Sequence, residues 1–115
     1  MNHYRGKYVS TKEWIYGGIS HIPKYNQYFI NIVQNESYLA SIEVEPESIG
    51  QYTGLEVNNI KLYDKQSFKV YNKIYKVVWN EKDLCWSAIS EESKERFSLS
   101  AFIEFSKDEI EIIQD

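Results

Sequence analysis

Cysteine is nearly absent from the sequence. Cys85 stands alone in 115 residues, so no intrachain disulfide can form and a secreted, disulfide-stapled class loses its best support. Glycine and proline are also scarce, at 5 and 2, while 43% of the residues are hydrophobic; this excludes collagenous and low-complexity classes and argues against disorder. No run of eighteen apolar residues occurs and Met1–Ser10 carries no apolar leader core, so the expectation is a cytoplasmic chain with no membrane partner. The two histidines, His3 and His21, belong to no metal-binding spacing.

Aromatic residues are what the chain has in excess: ten Tyr, five Phe and three Trp. Flat rings pack well on a pleated surface, so the class tilts to mainly β. A length of 115 residues fits a single domain, 1–115, with one core. The net charge of −4 is unevenly spread. Lys61, Lys65, Lys69, Lys73 and Lys76 face only Asp64 between residues 61 and 76, whereas the stretch after Val77 is acidic. Both runs read first as solvated faces, with a local basic patch for an anionic partner as the functional alternative.

Trp14, Tyr16 and Ile19 place a long strand over Glu13–Ser20, which Gly17 and Gly18 are expected to bend or bulge. A turn at Pro23 and Asn26 and a second strand, Tyr28–Val33, complete an N-terminal β-hairpin layer. A polar break at Asn35–Ser37 precedes a third strand through Leu39, Ile42 and Val44. Between Pro46 and Asn59 the turn-forming residues Gly50, Gly54, Asn58 and Asn59 predict a shaped connection, with Gly50 and Gly54 as its structural turn residues. Ser67–Tyr71 and Ile74–Trp79 form a tight hairpin about Asn72 and Lys73, with Tyr75, Val77 and Trp79 on one face. Leu84–Ser90 pairs with it, Leu84, Trp86 and Ala88 sharing a face. Ser100 caps at most one short helical turn through Phe105, and Ile110 and Ile112 alternate as a last strand.

The segment VEPESIGQYTGLEVNNIKLYD, residues 44–64, resembles the signature of the YopX-like phage and prophage protein family, above all in Gly50-Gln51-Tyr52-Thr53-Gly54-Leu55. YRGKYVSTKEWIYGGI, residues 4–19, is similar to the family's opening, and YKVVWNEKDLCW is similar to its Val-rich hairpin. Where the family runs Tyr-Glu-Gly-Asp, this chain has Tyr63-Asp64-Lys65-Gln66. The resemblance implies a small β domain with an SH3-like barrel in its later half, encoded by a phage or prophage, and assigns no activity.

Reactive groups do not converge in the sequence, so no catalytic, cofactor or metal site is expected. Glu43, Glu45 and Glu47 alternate as a solvent face does, and Gly50 and Gly54 lack the Lys-Ser/Thr of a phosphate loop. Cys85, between Leu84 and Trp86, is either a small buried group or a partly exposed thiol, the structural role being favoured. For Tyr52 and Thr53 the structural reading, a ring over the chain and a hydroxyl on a backbone group, is preferred to a binding role. Two functions remain. The first is a non-catalytic module that binds itself, as a homo-oligomer, or a host or phage protein through a Tyr-rich surface, the strands Trp14–Ser20 and Tyr28–Val33 being the favoured contributors. The second, less favoured on an acidic chain, is single-stranded nucleic-acid binding, in which Tyr63, Tyr71 and Tyr75 stack bases while Lys61, Lys69 and Lys73 contact phosphates.

Overall fold

The computed structural model describes residues 3–35 and 38–113. Among these residues strand dominates, as expected of so many aromatic and β-branched side chains: two antiparallel sheets, one helix and two isolated 3-10 turns. The chain groups into two compact units, 1–52 and 53–115.

In the first unit, β1 (Tyr4–Lys7), β2 (Trp14–Ile22), β3 (Gln27–Asn35) and β4 (Tyr38–Val44) run antiparallel in the order β4-β3-β2-β1, and the start of β5 (Gly50–Val57) adds to β1 through Arg5↔Gly50 and Tyr4↔Gln51. The first strand was not legible in the polar opening, yet His3 next to it is already engaged, its carbonyl accepting the Tyr52 N–H at 2.7 Å. The β2–β3 hairpin turns through a 3-10 turn at Pro23–Tyr25 and Asn26 at φ 50, as the Pro-Asn signal predicts. Part of the predicted break at Asn35–Ser37 lies outside the described residues.

Gly17 and Gly18 neither bulge nor adopt positive φ. They mark where β2 hands over from β1, which pairs Trp14–Gly17, to β3, which pairs Gly18–Ile22. Glycine is required at 17 by close approach, because a Cβ there would lie 2.3 Å from the Asn31 carbonyl oxygen. Beyond β1 the chain returns to β4: the Val9 N–H donates to the Glu43 carbonyl at 3.2 Å and the Glu45 N–H to that of Lys7 at 2.9 Å, about a Tyr8↔Val44 bridge. Ile30 and Val44 are buried at the centre of this unit.

The shaped connection expected over Pro46–Asn59 is largely a strand. A 3-10 turn, Pro46–Ser48, leads into β5, and only Asn58 and Asn59, both at positive φ, form a turn, before β6 (Ile60–Tyr63). The β-forming residues Tyr52, Thr53, Leu55 and Val57 outweigh two glycines, of which Gly50 has an ordinary strand conformation and Gly54, at φ 85, a local kink.

In the second unit β7 (Ser67–Val70), β8 (Lys73–Asn80), β9 (Cys85–Ser90), β10 (Arg96–Ser98) and β11 (Ile110–Ile112) form one sheet in the order β10-β9-β8-β7-β11, and α1 (Leu99–Ser106) lies between its last two strands in sequence. Val57 and Leu62 from the β5–β6 ribbon, Phe68, Val70, Tyr75, Val77, Ala88 and Leu99 make the core, against which Phe102 and Ile103 of the helix pack. The helical turn predicted from Ser100 begins at Leu99 and continues to Ser106. The β7–β8 turn sits one residue earlier than predicted: Val70 pairs Lys73, so Tyr71 and Asn72 are its central residues and Tyr71, not the asparagine, carries the positive φ of 55. No helix among the described residues is long and apolar enough to cross a membrane.

Candidate functional site

The residues expected to bind do not converge. Tyr63 is 3% exposed and Tyr75 8% exposed. The Tyr75 ring packs at 4.6 Å from Phe102 and 5.8 Å from Phe68, so neither tyrosine offers a free face for a base. The alternation that put Tyr75 beside Val77 identified a core face, and core it is. Tyr71 alone of the three is a surface ring, 75% exposed at its hairpin tip. Lys73 is exposed and Lys69 half-buried, but strand register sets Glu111 of β11 directly opposite Lys69. A segment that is basic in sequence thus has an acidic strand beside it, which lowers the local potential for phosphate.

Thr53 and Gly54 serve the chain's own geometry. The Thr53 hydroxyl donates to the Leu62 carbonyl at 2.8 Å and accepts the Leu55 N–H at 3.1 Å, holding β5 to β6 around the Gly54 kink. Gly50 is buried and pairs with Arg5, and Tyr52 is half-buried with its N–H on His3. The opening segment is structural in the same way. The Arg5 guanidinium is buried 3.8 Å above the Trp14 ring, Lys7 approaches the same ring at 5.1 Å, and a Cβ on Gly6 would stand 2.9 Å from Val44.

Lys65 stands in the αL region at φ 71, and the neighbouring Gln66 side chain accepts the Tyr63 N–H at 3.0 Å. Glu45 is paired with Lys12, whose ammonium hydrogen bond holds the carboxyl below its ordinary range. Glu45 lies just beyond the end of β4, and its carboxylate is engaged by Lys12.

A surface absent from the sequence reading forms at the β8–β9 end. Trp79 shares the face of Tyr75 and Val77 expected from the alternation, but as the last residue but one of β8 it is 43% exposed where those two are buried. It meets its cross-strand partner Trp86 edge-on at 5.2 Å and donates from Nε1 to Glu81 at 2.8 Å. The Asn80 side chain shapes the turn, its amide oxygen accepting the Lys82 and Asp83 N–H groups and its Nδ2 donating to Asp83. Leu84, predicted inside the strand, instead occupies this turn at φ 52 and is 71% exposed. Trp79, Asn80, Glu81, Lys82, Asp83 and Arg96 line a shallow depression of about 540 Å³. Its two carboxylates are committed to Trp79 and Asn80, while Lys82 and Arg96 form no ion pair among the described residues. The available signal was a Trp followed at once by a charged Asn-Glu-Lys-Asp turn.

Cys85 is half-buried with a free thiol opposite Asn80. No group of three or more His, Cys, Asp or Glu is placed to hold a metal among the described residues. No protein-family model, curated protein or solved structure matches the chain.

Proposed function

We propose that the chain is a phage- or prophage-encoded accessory protein of the YopX-like kind, working in the host cytoplasm as a non-catalytic interaction module that assembles with itself or with a host or phage protein. The observation that carries the interaction reading is the exposure of large apolar side chains, Tyr25 at 64%, Val33 at 74%, Tyr71 at 75%, Leu84 at 71% and Phe105 at 87%. One exposed apolar side chain is ordinary, but five this open, beside the uncharged run Tyr38–Ile42 of β4, support a surface used for contact, and symmetric self-association is the common way of covering one. The family reading draws support from Lys65: where the family has glycine, this chain keeps a backbone conformation that suits glycine. The SH3-like barrel is proposed on the same resemblance, and one core shared by the β5–β6 ribbon and the five-stranded sheet is compatible with it. Light scattering coupled to size exclusion tests the module directly; a mass of 13.7 kDa at every micromolar concentration would defeat self-assembly. Transcription that does not rise on prophage induction in the host would count against the phage origin.

The second reading is single-stranded nucleic-acid binding, moved from the buried tyrosines to the Trp79 depression. An exposed indole beside two uncommitted cations is what favours it. Titration of Trp fluorescence with an oligonucleotide, for wild type and Arg96→Glu, tests it: no quenching in either sinks the reading.

A further inference from the structure

We propose that the open edge of β4, Tyr38–Ile42, pairs antiparallel with the same edge of a second copy, about a two-fold axis at Ala40. The proposal rests on the self-assembly reading and names its surface and register. A strand at a sheet edge offers unpaired N–H and C=O groups, and proteins guard such edges by keeping them short, charged or covered. The edge strands β10 and β11 are three residues long and carry Arg96 and Glu111, and β6 has four residues including Lys61. β4 has seven residues, no proline, and a single charge, Glu43. That charge falls where Tyr8 and Val9 already cover the edge. The remaining five residues, Tyr-Leu-Ala-Ser-Ile, are uncharged, and no backbone partner on their outer side occurs among the described residues.

The register follows from backbone alternation. The Glu43 carbonyl points away from β3, since it accepts the Val9 N–H, so the N–H and C=O groups of Ser41 and Leu39 also point outward. Opposing two copies at Ala40 sets Leu39 against Ser41 of the other copy on both sides of the axis, which closes four N–H···O=C bonds. Ala40 then meets itself as a non-hydrogen-bonded pair, whose close approach of about 4.5 Å between Cα atoms suits the smallest side chain of the run. A pairing centred further along, at Ser41, would drive the second strand into Val9. Ser41 is exposed and its hydroxyl donates to Asn31 Oδ1 at 2.8 Å, with Ser20 completing a polar row across the sheet, so no like charges are brought together at the axis.

The test is sedimentation equilibrium with cross-linking. Ser41→Pro removes an N–H that β3 does not use, and Ser41→Lys places like charges beside the axis; each is expected to weaken the dimer about tenfold or more, while Ser41→Ala, which keeps the backbone donor, leaves it unchanged. Circular dichroism shows whether the proline variant folds, and the lysine variant carries the test if it does not. In a Cys85→Ser background, Ala40→Cys is expected to oxidise to a covalent dimer and Ile42→Cys is not. A dimer that ignores both Ser41 variants, and that Ala40→Cys does not make covalent, would overturn this pairing and leave self-assembly standing. A strict monomer would overturn both.

Discussion

Gly17 and Gly54 are both glycines within strands, and physics requires each for a different reason. At Gly17 the obstacle is space: a Cβ would stand 2.3 Å from a backbone oxygen, and backbone cannot swing aside as a side-chain end can. Gly17→Ala is expected to lower stability by about 3 kcal/mol, the upper end of what overpacking costs, read as a shift in the denaturation midpoint. At Gly54 the space is open and the obstacle is φ 85. Gly54→Val is expected to cost about 1–3 kcal/mol through backbone strain, and Gly54→Asn clearly less, since Asn tolerates αL. Lys65 is the converse case. It is exposed at φ 71, so Lys65→Gly exchanges strain for chain entropy and is expected to be neutral or stabilising within about 1 kcal/mol. A marked loss would show that the lysine side chain matters more than its backbone. The Lys12–Glu45 pair gives a pH signature. Because the folded carboxyl titrates below its ordinary value, the stabilisation is present above that ordinary value and is lost as pH falls through the lowered one. Wild type and Lys12→Ala should therefore differ slightly in melting temperature at neutral pH and converge in acid.

At the scale of elements, residue pattern revealed the strands whose apolar residues alternate on a buried face. Tyr28–Val33, Ile74–Trp79, Leu84–Ser90 and the final Ile110–Ile112 all appear within a few residues of the positions read from the chain. What pattern missed was set by partners. β1 has only Tyr4 with strand character, and becomes a strand because β2 and β5 pair with it on either side. The shaped connection expected from Gly50 and Gly54 is not a turn, because Gly50 lies buried in strand conformation opposite Arg5 and Gly54 makes only a kink that Thr53 bridges. Burial was the harder quantity. The Tyr71, Tyr75 and Tyr63 set required all three rings at one surface, but tyrosine is amphipathic and the core claimed two of them. The same ambiguity hid Trp79, whose alternation matches the core while its place at the strand end exposes it. Tyr28–Val33, favoured as a contributor to self-association, offers no free edge over this stretch, since β3 pairs with β2 on one side and β4 on the other. Ile30 faces the core at 0% exposure, so Ile30→Lys is expected to unfold the chain and Phe29→Lys is not.

At the scale of the whole molecule, charge separates the two functional readings by the sign of one response. The chain carries −4 at neutral pH, and dimerisation doubles that charge on one particle. An edge-to-edge dimer is held by backbone hydrogen bonds between uncharged residues, so nothing in its contact is weakened by screening, whereas the net repulsion between copies is. Self-association is therefore expected to hold or tighten slightly between about 50 and 500 mM salt, over which the Debye length falls from roughly 14 to 4 Å. Binding of an oligonucleotide at Trp79, Lys82 and Arg96 must do the opposite, because each phosphate neutralised releases counterions and the logarithm of affinity falls with that of salt. With two cations at the depression the slope would be shallow, about −1.4 for a single strand. The two titrations use the same protein and the same buffers. Association that tightens with salt and oligonucleotide binding that is undetectable at all salts would leave the interaction module alone; a monomer whose oligonucleotide affinity falls with the expected slope, and disappears in Arg96→Glu, would transfer the function to the Trp79 depression.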